Sequence, residues 1–268
     1  MKKVFTILFL LLAFSSNAQR TMFSGQNNYV GSVAPPSLIT TGLVLDLDAG
    51  NSSSYAGTGS TWTDLSSKAN NATLYNSVSY SSSNQGSLVF NGNGTNDGSR
   101  NPYVQLPMST DFDFGSGDFT VEMWAYTTSG NIASDFVVIN ANSSSYAAVR
   151  LEYYNGDLLV VHSYNGVNHA SGGASASFPF NLNVWNHIVL SRISGNAKVY
   201  VNGIEKASYS LTGSLLSQQN SRIGSLPTHP GGKNYSGNIA TTRFYKGKGF
   251  TAAEVTYNFN LLKSRFGL

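Results

Sequence analysis

The chain has 268 residues and little charge, since lysine, arginine, aspartate and glutamate together make up 11% of it. Its 16 basic residues exceed its 13 acidic ones by three, and apart from Arg243, Lys246 and Lys248 the basic residues are not clustered, so we expect no nucleic-acid partner. No cysteine occurs, which excludes disulfide bonds and thiolate metal sites.

Residues 1–18 have the features of a secretory signal peptide. Two lysines precede an apolar run over residues 4–14 that is too short to span a bilayer. Ser16 and Ala18 occupy the −3 and −1 positions of a cleavage site before Gln19. No other stretch is long and apolar enough to cross a membrane. We therefore expect an exported protein, either secreted or held at the cell surface.

Residues 19–40 are polar and lack periodicity, which is typical of a flexible leader or linker. Residues 41–268 show no internal repeat and no break in composition, which favours one domain. Within them, short alternating apolar runs are separated by Gly, Asn and Ser, a pattern that predicts an all-β fold. Asn155-Gly156 and Asn202-Gly203 each lie between two such runs and predict antiparallel hairpins with type I′ turns.

One helix is predicted near the C-terminus. Thr251 and Glu254 have the spacing of a capping box. Val255, Phe259 and Leu262 follow at spacings of four and three, which places them on one apolar face. We expect a short closing helix at the edge of the β-structure.

Three groups of motifs occur in order along the chain. They are LDAGN at 47–51, GSTWTDL at 59–65 and SLVFNG at 87–92; DFGSGDFTVEMW at 113–124, WNHIVLSR at 185–192 and VYVNG at 199–203; and YSGNI at 235–239, RFY at 243–245, FTAAEV at 250–255 and RFGL at 265–268. In sequence and spacing they resemble the laminin G-like modules of the concanavalin A-like lectin/glucanase superfamily, over roughly residues 42–268. The resemblance implies an all-β jelly-roll sandwich of two antiparallel sheets with a short C-terminal helix. It implies little about the ligand, because this fold carries many functions.

The acidic residues do not favour catalysis. Retaining glucanases of the superfamily need two carboxyl groups about 5–5.5 Å apart, which a run of the type Glu-x-Asp-x-x-Glu supplies on a strand. Here Glu122 and Glu152 are isolated along the chain, and only Asp46 and Asp48 have strand spacing on one face. We interpret that pair as facing solvent or capping loops, and His187 as a structural residue within a strand. The sequence therefore predicts a protein that is not an enzyme.

Calcium is one possible cofactor. Related modules hold Ca²⁺ at the rim of the sandwich through Asp and Asn oxygens, and the loop at 91–97 offers Asn91 and Asp97 as candidate ligands. Two departures weaken this prediction: Asn91 stands where family members often carry Asp, and residues 98–102 read as an insertion. A solvated loop without metal is the alternative.

Tyrosine-rich loops are the remaining indication of function. Sugars stack their C–H faces on aromatic rings and bind amides through their hydroxyl groups. Tyr55, Tyr146, Tyr164 and Asn165 lie in loops or at strand ends and are the candidate ligand-binding residues, whereas the three tryptophans are expected in the core. The leading hypothesis is a secreted, non-catalytic module that binds a polysaccharide or glycoconjugate. A structural or adhesion role through a protein surface is the alternative, ahead of a glycoside hydrolase.

Overall fold

A computed structural model of the chain describes residues 37–92, 101–128, 133–141, 147–154, 158–163, 175–227 and 234–268. The predicted signal peptide and most of the predicted leader lie outside these ranges. The strands and the helix follow in chain order. They are β1 (Leu43–Asp48), β2 (Thr61–Trp62), β3 (Ala72–Tyr75), β4 (Ser79–Ser81), β5 (Ser87–Asn91), β6 (Tyr103–Leu106), β7 (Phe119–Thr127), β8 (Ala133–Ala141), β9 (Ala147–Tyr154), β10 (Leu158–Ser163), β11 (Ser175–Pro179), β12 (Trp185–Ile193), β13 (Asn196–Val201), β14 (Ile204–Ser210), β15 (Asn220–Ile223), β16 (Ser236–Lys246) and α1 (Ala252–Leu262).

The strands form two eight-stranded sheets. Sheet A has the order β14-β13-β12-β7-β16-β5-β4, with β1 also paired to β16. Sheet B has the order β11-β10-β9-β8-β15-β6-β3-β2. Neighbouring strands pair antiparallel, as in β7 with β16 and β8 with β9. The predicted fold class, a two-sheet antiparallel jelly-roll sandwich with a short C-terminal helix, is confirmed.

One apolar cluster between the sheets forms the core. Alternation along each strand supplies it, because side chains two residues apart share a face. Sheet A contributes residues such as Leu45, Leu47 and Val121, and sheet B contributes Val104 and Ile223. The three tryptophans are buried as expected, since none of them is more than 8% exposed, but only Trp62 belongs to this cluster, because Trp124 and Trp185 lie in a separate buried cluster.

The two predicted hairpins pair as expected. Asn202 and Gly203 have φ angles of 52° and 80°, and both φ angles are positive, as a type I′ turn requires. That turn joins β13 to β14. In the other hairpin, Tyr154 of β9 lies opposite Leu158 of β10, while residues 155–157 lie outside the described ranges.

The C-terminal helix begins with the predicted capping box between Thr251 and Glu254. It lies over the outer face of sheet A and not at its edge, so the predicted position was wrong. The reason is the apolar outer face of the central strands, where the Trp124 ring stacks on Phe259 at 5.8 Å and on Phe266 at 4.2 Å between centroids. No helix in the described part of the chain combines the length and apolar content needed to cross a membrane.

Candidate functional site

Two of the predicted site residues lie in the described ranges. Tyr55 is 5% exposed, its hydroxyl donates a 2.9 Å hydrogen bond to the Gly59 carbonyl, and its ring lies 5.7 Å from that of Tyr80. These contacts fix the conformation of the loop at residues 55–59. Asn91 ends β5 with an exposed side chain. A ligand or metal role for either residue stays a prediction.

The other four predicted site residues, Tyr146, Tyr164, Asn165 and Asp97, lie outside the described residues. Within the described ranges, no group of three His, Asp or Glu side chains lies close enough together to hold a metal ion. Calcium binding through Asn91 and Asp97 therefore also stays a prediction.

The outer face of sheet B brings together side chains that no sequence motif marked. In β3 and β6 the apolar residues Leu74 and Val104 point into the core, so Tyr75 and Tyr103 point outward. These two tyrosines lie directly opposite each other in the strand register. Arg222 of β15 belongs to the same face, since the next residue in its strand, Ile223, is in the core.

Tyr75, Tyr103, Gln105 and Arg222 form what we call the aromatic platform. The Tyr75 and Tyr103 rings are nearly parallel, with centroids 4.9 Å apart and planes inclined by 11°. The Arg222 guanidinium carbon lies 4.0 Å from the centroid of the Tyr103 ring. Because β6 lies between β15 and β3, Arg222 and Tyr75 approach Tyr103 from opposite sides. The result is a stack of cation, ring and ring.

Tyr75 is the accessible end of this stack, with 43% of its surface exposed. The register of β2 and β3 pairs Thr61 with Thr73, which sets Gly59 across from Tyr75. Gly59 has no side chain, and no atom lies within 4 Å of where its Cβ would be. The edge of sheet B therefore leaves the Tyr75 ring open to a ligand.

The side-chain amide of Gln105 fixes the position of Arg222. Its nitrogen donates to the carbonyls of Leu106 at 2.9 Å and Ser221 at 3.0 Å, which orients its oxygen. That oxygen accepts a 3.0 Å hydrogen bond from Nε of Arg222. The guanidinium is thus held by one hydrogen bond and one aromatic ring.

Burial lowers the pKa of the Arg222 guanidinium below its ordinary value, and the Tyr103 and Tyr75 hydroxyls offset this only in part. The group stays protonated in water at neutral pH. It is a half-buried cation without a carboxylate partner in the described part of the chain.

Farther across sheet B, the same face carries a buried group of charges. Arg150 of β9 shares the strand partner Val138 with Arg222. Its Nε lies 2.5 Å from an Asp135 oxygen, and its Nη2 lies 2.9 Å from a Glu152 oxygen. Burial lowers the pKa of Arg150, but the two carboxylates raise it above its ordinary value. Glu152, isolated along the chain, is therefore not isolated in the fold, because Asp135 lies opposite it on β8.

The outer face of sheet A also carries polar groups, but helix α1 covers them. Glu122 is fully buried and lies 2.7 Å from Nε2 of His187, and it accepts a 3.0 Å hydrogen bond from the Asn258 amide of α1. Burial alone would raise the pKa of Glu122, but His187, Arg243 and Asn258 outweigh it and lower that pKa. The cluster links the helix to the sheet, in agreement with the structural role predicted for His187.

Asp46 and Asp48 serve the same covered face. Arg243 donates from Nε to Asp46 at 2.7 Å, and Arg265 donates from Nη1 to Asp48 at 2.9 Å. The pair was interpreted as facing solvent or capping loops: Asp48 does cap the loop that follows it, since it accepts a 2.8 Å hydrogen bond from the Gly50 amide, but both carboxylates are ion-paired and only partly exposed. They tie the first strand to β16 and to the C-terminal end of the chain.

The aromatic platform could not be found from the sequence. Alternation in β3 and β6 indicates that Tyr75 and Tyr103 each point away from the core, but it does not show which strands pair. Gln105 and Arg222 are 117 residues apart along the chain, and only the sheet order brings them together.

The chain resembles several solved structures at low identity. The binding domain of botulinum neurotoxin serotype G is 17% identical and superimposes with a TM-score of 0.63, over 83% of this chain and 51% of that chain. The binding domain of botulinum neurotoxin DC, in complex with SialylT, is 14% identical, with a TM-score of 0.62 over 82% and 52%. Domain 4 of AbnA, a GH43 extracellular arabinanase from Geobacillus stearothermophilus in complex with arabinotriose, is 16% identical, with a TM-score of 0.57 over 81% and 98%.

The chain spans about half the length of the toxin binding domains that it matches. These likenesses show the fold alone, and a search of curated proteins finds no match. A laminin G family model, described as concanavalin A-like lectin/glucanases superfamily, matches residues 96–256, which is more than half of the chain. The chain therefore belongs to this laminin G family of the concanavalin A-like lectin/glucanase superfamily.

Proposed function

We propose that this protein is an exported, non-catalytic module that binds a glycan on the outer face of sheet B. The observation that carries the proposal is the nearly parallel Tyr75–Tyr103 pair, whose outer ring is 43% exposed. An exposed aromatic ring offers a flat apolar face to the C–H groups of a sugar. Neighbouring polar groups, here Gln105 and Arg222, supply hydrogen bonds that fix the orientation of a ligand.

The comparisons support a binding role. Two of the similar structures are named as binding domains of neurotoxins. Two were determined with a saccharide, SialylT in one and arabinotriose in the other. A domain of this architecture therefore suits a module that recognises glycans, and a signal peptide at residues 1–18 would deliver it outside the cell.

The contacts of the buried carboxylates support a non-catalytic role. A retaining glycosidase needs one carboxyl that is protonated as an acid and one that is ionised as a nucleophile. Asp135 of β8 lies directly opposite Glu152 of β9. The guanidinium of Arg150 contacts the carboxylates of both residues. The two carboxylates thus share one cationic partner inside the fold, as in a structural ion-pair network.

Binding to a glycan array tests the proposal, with the full exported chain and two matched variants. Tyr75→Ala removes the exposed ring of the platform, whereas Tyr257→Ala removes a ring of equal exposure, 42%, from helix α1. We expect Tyr75→Ala to weaken binding at least about tenfold, or ~1.4 kcal/mol, and Tyr257→Ala to leave it unchanged. Equal binding by wild type and Tyr75→Ala would contradict the proposed site.

Running the array with calcium and with chelator tests the separate proposal that Asn91 and Asp97 hold Ca²⁺. A calcium-dependent signal would support a bound Ca²⁺, for which the 91–97 loop is the candidate site. A signal that survives chelation would leave the aromatic platform as the site. No signal in either condition would reject glycan binding and favour the alternative, adhesion through protein contacts.

A further inference from the structure

We infer that the glycan bound by the aromatic platform is anionic, and that its carboxylate or sulfate group pairs with Arg222. This inference rests on the proposed function and names the chemical class of its ligand.

Four of the five arginines in the described ranges have their partners within the fold. Arg150, Arg243 and Arg265 each contact one or two carboxylates. Arg192 is enclosed by backbone carbonyls, including those of Gly115 and Gly117. Each of these four guanidinium groups thus has its negative or dipolar partners inside the fold.

Arg222 differs from all four. Its one hydrogen bond runs from Nε to Gln105, and in the described part of the chain neither terminal nitrogen has a hydrogen-bond partner. No carboxylate of the described residues contacts it. The two terminal nitrogens of a guanidinium can donate two parallel hydrogen bonds to a carboxylate or sulfate group.

Partial burial disfavours the charged form of Arg222. Arg222 is half-buried against Tyr103, and burial lowers the pKa of its guanidinium. At Arg150 burial also lowers the pKa, but Asp135 and Glu152 more than offset it and raise the pKa above its ordinary value. A bound anion would stabilise the charged guanidinium of Arg222 as those carboxylates stabilise that of Arg150, because a nearby opposite charge favours the charged form.

The order of groups across the platform indicates the size of the ligand. Tyr103 stands between Tyr75 and Arg222, so a sugar ring on Tyr75 and an anionic group on Arg222 belong to different units of one saccharide. The ligand is therefore an oligosaccharide or polysaccharide that crosses strands β3, β6 and β15. An apolar sugar face lies on the exposed ring of Tyr75, and the charge of the saccharide lies on Arg222.

The test uses matched saccharides on the same array. Uronate oligosaccharides are compared with their methyl esters, which keep the sugar and remove the charge, and with sulfated oligosaccharides of the same length. We expect wild type to bind at least one anionic set about ten- to a hundredfold more tightly than its neutral counterpart, the range given by a hydrogen-bonded charge pair. The uronate and sulfate arms show which anion is preferred.

Two variants of Arg222 separate charge from shape. Arg222→Gln should remove the preference for the anionic set, so that the anionic and neutral sets bind with similar affinity, because the glutamine amide carries no charge. Arg222→Lys keeps the charge but loses the planar pair of donors, so it should restore part of the preference. The control is Lys206→Gln, which removes the same charge from an exposed position of β14, and it should retain the preference. Circular dichroism and thermal unfolding verify that each variant is folded.

The outcomes distinguish this inference from the function on which it rests. If Tyr75→Ala weakens binding while wild type binds neutral and anionic saccharides equally, the platform is a glycan site and the anionic inference is wrong. If the anionic preference exists but survives in folded Arg222→Gln, Arg222 does not provide it and the inference also fails. If no saccharide binds, both the inference and the proposed function are rejected.

Discussion

The two sheets present outer faces built by the same alternation, yet the chain uses them in opposite ways. On sheet A the outward ring of Trp124 is fully buried, because Phe259 and Phe266 of the C-terminal segment stack on it. On sheet B the outward ring of Tyr75 is 43% exposed. An outward aromatic residue is thus structural where the chain covers it and available to a ligand where the chain does not.

Glu122 on sheet A and Arg222 on the platform of sheet B show the same contrast. Glu122, on sheet A, contacts His187 and Asn258 inside the fold. Arg222, on sheet B, is held by Gln105 and Tyr103 and keeps two donor nitrogens without a partner among the described residues. Substitutions on the covered face should therefore change stability, and substitutions on the platform should change binding.

The largest expected effect is on the covered face. Trp124→Ala removes the ring that Phe259 and Phe266 pack against, and we expect it to lower the free energy of unfolding by ~3–5 kcal/mol, as for other large buried aromatic residues. Urea denaturation measures the loss. Tyr75→Ala is the matched comparison, and its loss should be less than about 1 kcal/mol because the ring is exposed. Similar losses in the two variants would contradict the division between the faces.

An intermediate effect is expected at Glu122, and it should depend on pH. Glu122→Gln weakens the contacts to His187 and Asn258 and should cost about 1–3 kcal/mol at pH 7. The pKa of Glu122 in the folded protein is lowered from its ordinary value of 4.5. The stability that its charge contributes is therefore fully present above that ordinary value and is lost as the pH falls through the lowered value.

Urea denaturation at pH 7, 5 and 3 measures this dependence. The difference between wild type and Glu122→Gln should be constant from pH 7 to 5 and should narrow at pH 3. A difference that stays the same at pH 3 would show that the charge of Glu122 does not stabilise the covered face.

The smallest expected effect is at the start of the helix that provides the cover. Thr251→Ala removes the side-chain oxygen that accepts a hydrogen bond from the Glu254 amide, and loss of such a cap costs about 1 kcal/mol. Thermal unfolding should show this decrease, while glycan binding should not change. A loss of binding with the helix still folded would link the covered face to the ligand.

Much of this fold could be predicted from the sequence because its signals are local. Alternation marked β1 and β7, Asn202-Gly203 marked a hairpin, and Thr251 with Glu254 marked the start of the helix. The position of the helix could not be predicted, because it depends on which strands lie at the centre of sheet A. The platform could not be predicted for the same reason, since the order of β3, β6 and β15 is set by the folded sheet.

The candidate site differed from the sequence prediction because loop position was used as a guide to exposure. Tyr55 lies in a loop, but it is buried and its hydroxyl is bound within that loop. Tyr75 lies in a strand at the edge of a sheet and is exposed. The tyrosines at 146 and 164 lie outside the described residues and remain candidates.

Hydrogen exchange on the full chain, with and without a saccharide that binds on the array, tests the central claim most directly. If the platform is the binding surface, added protection will be concentrated at residues 72–75, 103–106 and 220–223 and absent from residues 252–266. Protection centred instead on helix α1, or on Tyr146, Tyr164 and Asn165, would contradict the assignment of the outer face of sheet B as the site.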